Sequence, residues 1–316
     1  MRHVPRSKMP FTKPWLCWTD QISKLKDRGI VFADEAAAEA FLSHINYYRF
    51  SGYCLAFEEA RHAIAPGTTF EQIYAAYRFD CALRDLVGEA LEHIEIDVRT
   101  TVAYCFGEAH RPMGHVDPAN FHEPTGIRAH ARKGVFRHAD WIAGIRRECR
   151  RSSEAFVTHF REKYDHGDDL PIWVATEIMS FNGLSRMYKG MLRDDRRAVS
   201  RRYGLQPRDF ESWLHHLVYI RNICAHHARL WDRQWHIQPR RPHGKGWQPS
   251  LVPSTDRLFA TILVLYRVMT RCDGILQAPA AWRDAIFQLL REPPPCQAAL
   301  QRMGLPVRWE EHPLWS

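Results

Sequence analysis

No C-x-x-C pair occurs in the 316 residues, and the eight cysteines, at positions 17, 54, 81, 105, 149, 224, 272 and 296, follow no regular spacing. A disulfide framework or zinc ribbon is therefore not expected, and the thiols read as reduced and mostly buried. A run of about eighteen uninterrupted apolar residues, the length needed to cross a bilayer, is also missing. The stretch from Met1 to Lys13 carries charge but no apolar core of a secretory leader, so the expectation is a soluble cytoplasmic protein with no membrane partner. There is no G-x-x-x-x-G-K phosphate cradle, which leaves nucleotide hydrolysis unsupported, and there is neither a tandem repeat nor a low-complexity tract.

What is present is an ordinary globular composition with a basic bias. Hydrophobic residues make up 45% of the chain, enough for one large core or two modest ones. The formal charge is +8 and the isoelectric point about 9.1, a balance that suits a polyanionic partner. The excess is local: Arg193, Arg196, Arg197, Arg201, Arg202 and Arg208 precede one amphipathic stretch, and Arg229, Arg233, Arg240, Arg241 and Lys245 follow it. A solvated basic face explains such clusters equally well.

Periodicity and punctuation predict helix after helix. Asp20 to Arg28 forms a short amphipathic helix closed by Gly29, and Asp34 caps an alanine-rich helix running toward Tyr48. Thr68 and Glu71 have capping-box spacing and open a helix that extends to Cys105 before Gly107. Within it, Asp80 with Arg84 and Glu95 with Arg99 are i, i+4 pairs, read as ordinary surface stabilisation, with Arg84, Glu95 and Arg99 also candidates for the border of a cleft. A loop from His110 to Phe121 precedes helical stretches from about Ile127 to Arg151 and from Glu154 to Tyr164. Pro171 suits a first helical turn, Trp173 and Ile178 look like core anchors, and Glu177 is the polar exception beside them. From His236 to Pro253 proline, glycine and basic residues punctuate the chain too often for a helix. Apolar helices follow from Thr255 to Arg271 and from Ala280 to Leu290. The expected organisation is thus all-α, with a domain over 1–235, a linker loop over 236–253 and a C-terminal helical extension over 254–316.

One stretch carries chemistry. At about 100° per residue, Phe210, Leu214, Leu217, Cys224, Ala228 and Trp231 fall within roughly 60° of one line, an apolar stripe. Arg221 lies only about 20° from its centre, where a guanidinium needs a partner. Asn222, His226 and Arg229, with His215 and Arg233, form a second stripe roughly 100° to 160° round. An arginine, an amide and a histidine are suited to RNA phosphodiester cleavage. Imidazole titrates near neutrality and moves protons, guanidinium clamps a phosphate and neutralises developing charge, and the ribose 2′-hydroxyl is an internal nucleophile that needs no metal. On helix statistics alone, the same residues read as a core ion-pair partner and a solvated histidine. Cys224, His226 and His227 invite a zinc site, yet a structural site needs four ligands and no second cluster at finger-like spacing exists, so neither metal nor cofactor is expected.

Five blocks in order widen the view: Asn46-Tyr47-Tyr48-Arg49-Phe50-Ser51-Gly52-Tyr53, Phe79-Asp80-Cys81-Ala82-Leu83-Arg84, Ile94-Glu95-Ile96-Asp97-Val98-Arg99, Pro171-Ile172-Trp173-Val174-Ala175-Thr176-Glu177, and the run from Arg221 to His226. Through them the segment from about Trp15 to Trp231 resembles the abortive-infection family (AbiD/AbiF type) of bacterial phage-defence proteins, within the HEPN superfamily of helical ribonuclease domains. The resemblance implies an all-α HEPN-like bundle with additional helices, acting as a metal-independent endoribonuclease. It implies Arg221, Asn222 and His226 as the catalytic residues and a homodimer that completes the active site. RNA is then the substrate, with His215, Arg229 and Arg233 as candidate RNA-binding residues and a neutralising or activating protein as a further partner. From its chemistry alone, the Glu177 carboxylate is a candidate to orient Arg221 or His226 at the border of the cleft beside Arg84, Glu95 and Arg99, with a surface role as the other reading. Superfamily members without cleavage activity imply the alternative, a module that binds RNA or a partner protein as the regulatory half of a defence system.

Overall fold

The computed structural model describes residues 10, 12–60, 63–122, 134–272 and 279–315, and its regular structure is helical apart from one short hairpin, an all-α fold. The chain divides into two units, Met1–Arg78 with Pro294–Gln297, and Phe79–Pro293 with Ala298–Ser316.

In the first unit α1 (Trp18–Asp27) ends where expected, at Gly29 with φ +96°. Helix α2 (Glu35–His44) starts on Asp34, whose carboxylate accepts from the Ala37 N–H at 3.0 Å. It stops short of Tyr48 because the Asn46 side chain accepts from the Tyr48 N–H at 2.8 Å and caps a separate α3 (Tyr47–Cys54). A small antiparallel hairpin follows, β1 (Glu58–Ala60) with β2 (Ala63–Ile64). The capping box of α4 (Phe70–His110) lies one residue later than its sequence signature: the Thr69 N–H donates to Gln72 at 3.0 Å and the Gln72 N–H to Thr69 at 3.3 Å. Thr68 is buried instead, with its hydroxyl donating to the Ala65 carbonyl at 2.7 Å. Phe41 makes edge contacts with Phe50, Phe70, Tyr74 and Tyr77, the aromatic heart of this unit.

The second unit holds the rest of α4 and α5 (His138–Arg151), α6 (Ala155–Lys163), α7 (Ile172–Ile178), α8 (Phe181–Gly190), α9 (Arg193–Arg202), α10 (Pro207–Ala225), α11 (Leu258–Met269), α12 (Pro279–Arg291) and α13 (Ala299–Arg302). Of the stretch expected to be helical from about Ile127 to Arg151, the residues from His138 to Arg151 form α5, 134–137 are not helical, and 127–133 lies outside the described residues. Helix α4 runs on through Gly107, where a Cβ would stand 3.2 Å from Ile172, so the missing side chain serves the approach of α7. Every residue of α11 except Arg267 is buried, the mark of a helix enclosed on all sides. Its polar exception, Thr261, lies 3.0 Å from Nε2 of the buried His216, whose Nδ1 is 2.7 Å from the Ile237 carbonyl. With the proton on Nδ1, which donates to Ile237, and the Thr261 hydroxyl donating to Nε2, the neutral ring is fully satisfied. Of the eight thiols, Cys54 and Cys149 are buried and six are partly exposed, fewer buried than expected. No described helix is long and apolar enough to cross a membrane.

Asp80 is 0% exposed, which overturns the surface reading of the Asp80–Arg84 pair. Its Oδ1 accepts from the backbone N–H groups of Leu230 at 3.0 Å and Trp231 at 2.8 Å, while Oδ2 takes the Arg84 guanidinium. Removing the carboxylate would leave a buried arginine charge and two backbone donors without their acceptor. Asp80→Ala is therefore expected to cost about 3–5 kcal/mol, read as a lower urea midpoint.

Burial lowers the pKa of His115 and of His216 to about 4. Both rings are neutral in the fold, while the unfolded chain protonates them below about pH 6.5. Stability is then complete above that pH and is lost progressively as pH falls toward about 4, a trend that urea titrations across this window will register.

Candidate functional site

Pro207 opens α10 at a position that needs no N–H, and Phe210, Trp213, Leu214, Leu217, Val218, Ile220 and Ile223 form its buried face. The helix ends at Ala225, in a Schellman motif: the Ala228 N–H reaches the Ile223 carbonyl at 3.0 Å and the His227 N–H that of Cys224 at 2.9 Å. His227 takes the left-handed position with φ +51°, a place usually held by glycine. Asp80 then fixes the backbone at Leu230 and Trp231. The helical stripe expected to continue through Arg229 and Arg233 is therefore cut: both are partly exposed residues of the loop beyond the helix.

Arg221 has the angular position that the arithmetic assigns, yet its side chain is 48% exposed. The apolar face of α10 loses its cover one turn after Leu217, at Arg221 and the exposed Ala225. The Arg221 Nε lies 3.8 Å from Oε2 of Glu95. The other Glu95 oxygen takes Arg99, whose guanidinium also donates to the carbonyls of Thr176 and, at 3.0 Å, Glu177. Arg99 thus satisfies orphan carbonyls at the last turn of α7 while holding Glu95 in place. The Glu95–Arg99 pair, expected on the surface, is largely enclosed, with 15% and 13% of the side chains exposed.

Asn222 and His226 are exposed one turn apart on α10, about 100° to 140° round from Arg221. Among the described residues their side chains carry no hydrogen bond. The structure therefore joins Glu95, Arg99 and Arg221, sets Asn222 beside His226, and within one copy pairs Arg221 with Glu95 rather than with His226. His215 shares the stripe of Asn222 and His226 but lies about 16 Å along the axis from His226. Arg84 is engaged with Asp80 in the interior, and Glu177 reaches the cluster through its carbonyl while its carboxylate is exposed. Burial pushes the Cys224 thiol up to about 12, which removes it as a nucleophile.

Sequence reasoning placed Trp173 in the core, but it is 52% exposed. Ile172, Ala175 and Thr176 take the inner face of α7, leaving Trp173 and Glu177, at i, i+4, on the outer one. Trp173 shares a groove of about 520 Å³ with Thr100, Ala103 and Tyr104, the last 69% exposed. Asp80, the residue that fixes the loop after the motif, stands out in sequence only as half of an i, i+4 pair and as a member of one block of the family resemblance, neither of which assigns it this role. Chemically, an amide and an imidazole side by side can hold an anion and move a proton, and the tethered guanidinium can neutralise charge that approaches it.

The model of the Abi-like protein family matches residues 40–232, more than half of the chain and a span that includes Asp80, Glu95, Arg99 and the whole of α10. No curated protein and no solved structure matches the chain.

The exposed, 3.8 Å contact of Arg221 with Glu95 is expected to be weak. A double-mutant cycle on stability with Glu95→Ala and Arg221→Ala should give a coupling of about 0.5 kcal/mol or less. The enclosed Glu95–Arg99 pair should give about 1–3 kcal/mol.

Proposed function

The chain belongs to the Abi-like protein family, and from that premise we propose that it is a metal-independent endoribonuclease of the HEPN kind that acts in phage defence by abortive infection. The observation that carries the reading is the exposed end of α10, next to a loop that a buried carboxylate fixes. There the side chains of Asn222 and His226 carry no hydrogen bond among the described residues, and Arg221 is exposed about 100° to 140° round the same helix. His226 takes the proton of the ribose 2′-hydroxyl, the oxygen attacks the adjacent phosphorus, and the 5′-oxygen leaves and is protonated. The products are a 2′,3′-cyclic phosphate and a 5′-hydroxyl. Arg221 neutralises charge on the phosphate, and Asn222 positions a phosphate oxygen or the imidazole ring. The nucleophile belongs to the substrate, so the side chains supply only positioning, charge and proton transfer.

The site is completed in a homodimer. Two features support this: the apolar face of α10 is uncovered at Arg221, and on nearby α4 and α7 Ile96, Tyr104 and Trp173 present apolar surface to solvent. A second copy seated there covers that surface and brings a second motif against the first. Arg221 is held loosely enough by Glu95 to turn toward a phosphate in the shared cleft.

Purified protein is expected to cut a mixed RNA pool in EDTA and to leave cyclic-phosphate ends. His226→Ala and Arg221→Ala should each slow cleavage on the order of 10²- to 10⁴-fold with folding and RNA binding retained. In sedimentation, Tyr104→Glu with Trp173→Glu should convert dimer to monomer and abolish cleavage together. RNA left intact in EDTA, with or without an activating partner, would favour a binding module, the reading that the engagement of Arg221 with Glu95 supports.

A further inference from the structure

A second feature of α10 lies outside the motif. The same polar stripe that carries Asn222 and His226 presents Arg208, Glu211, Ser212 and His215, at i, i+3, i+4 and i+7, to a cleft of about 850 Å³. Its other walls are α8, through Arg186 and Lys189, the start of α5, through Arg137 and Asp140, and the loop that carries Arg240. The volume lies at the upper end of the range of about 300–1,000 Å³ common for ligand sites.

Its charge is one-sided. Five cationic side chains face two carboxylates; Glu211 is already taken by Arg196, and Arg240 by the buried Asp209 at 3.0 Å, which leaves four cations against Asp140. Asp140 is largely solvent-exposed and meets Arg137 only at 3.7 Å. Among the described residues Arg186 and Arg208 have no ion-pair partner. The neutral side chains of Asn182, exposed, and Ser185, buried, also line the cleft. The walls are fixed: Trp213 Nε1 donates to the Arg240 carbonyl at 2.9 Å, the Arg240 N–H to Ser212 at 2.8 Å, and Lys189 to the Gly134 carbonyl at 2.6 Å. Like charges converging on a fixed concave surface repel one another, and an anion of several oxygens relieves that repulsion through bidentate contacts with arginine. A single small anion would leave most of the cleft empty.

We propose that this cleft is a binding site for phosphate esters, which Arg186 and Arg208 grip and Lys189 and Arg240 flank. The ligand is either a segment of single-stranded RNA backbone or a free nucleotide, two sources with the same chemistry. The site stands whether or not the surface at Arg221 and His226 cleaves RNA. Its effect on that surface, about 16 Å away along one helix, is to hold a strand or a signal beside it.

The test is calorimetric titration of the full chain, carried in a His226→Ala background so that RNA stays intact, with ATP and separately with an octa-uridylate, at several salt concentrations. At least one ligand is expected to bind, and Arg186→Ala with Arg208→Ala should weaken it tenfold or more. If the strand is the ligand, loss of two phosphate contacts should lower the slope of log affinity against log salt by about 1.4. Arg193→Ala with Arg197→Ala, two exposed cations of α9 that do not line the cleft, should change binding less than twofold. Binding of ATP alone identifies a free nucleotide, and binding of the oligomer alone identifies a strand. Arg208→Ala by itself, at an exposed position, keeps the test valid should the double variant lose its helical circular dichroism. The proposal falls if neither ligand binds, or if the α8/α10 and α9 variants weaken binding equally, which would mark diffuse surface charge.

Discussion

The carboxylate of Asp80 holds together what the rest of the candidate site needs. It is wholly buried, and its partners are one buried guanidinium and two backbone amides of the loop that follows α10. A carboxylate so enclosed is tolerated only when all its acceptor capacity is used. That requirement gives Leu230 and Trp231 a single position, and their position gives the turn at His226 and His227 its shape. Trp231 is itself buried, with its ring edge-on to Phe79 next to Asp80 in the chain, so apolar packing and the charged contact fix the same few residues.

Two kinds of ion pair divide the labour around α10. Asp80–Arg84 is buried and Glu95–Arg99 largely enclosed, so breaking either leaves a charge with little access to water. Arg221 with Glu95 is open to water and long, so little free energy opposes a rearrangement of that guanidinium. Arg99 connects the two classes, because it both holds Glu95 and closes the last turn of α7. A stiff support carrying one loosely held cation suits recognition of an anion that arrives from solution.

Much of the fold was legible in the sequence, since apolar periodicity at 3.6 residues survives tertiary packing and places α1, α4, α10, α11 and α12 nearly where they are. The departures occur where a local polar contact outweighs periodicity. Asn46 ends a helix that alanines would have continued, and Thr69 with Gln72 displaces the capping signature by one residue. At the candidate site, the angular place of Arg221 was readable but not its exposure, because only the surrounding helices decide where cover stops. The end of α10 was unreadable for a sharper reason: the left-handed position that terminates it holds a histidine, where sequence logic waits for glycine. Trp173 misled in the opposite sense, since size alone suggests burial while α7 turns that residue outward.

Asp80 and Glu95 ride on one unbroken helix, and their separation is a matter of counting, about 22 Å and a fixed rotation set by the number of residues between them. A residue gained or lost between them would swing one anchor by about 100° relative to the other. Side-chain replacements in that interval can be absorbed one at a time, whereas a change of length breaks the correspondence between the loop clamp and the tether of the exposed guanidinium. The interval behaves as a ruler, so evolutionary variation in this region is expected to be written in substitutions, with insertions and deletions displaced into the connecting loops.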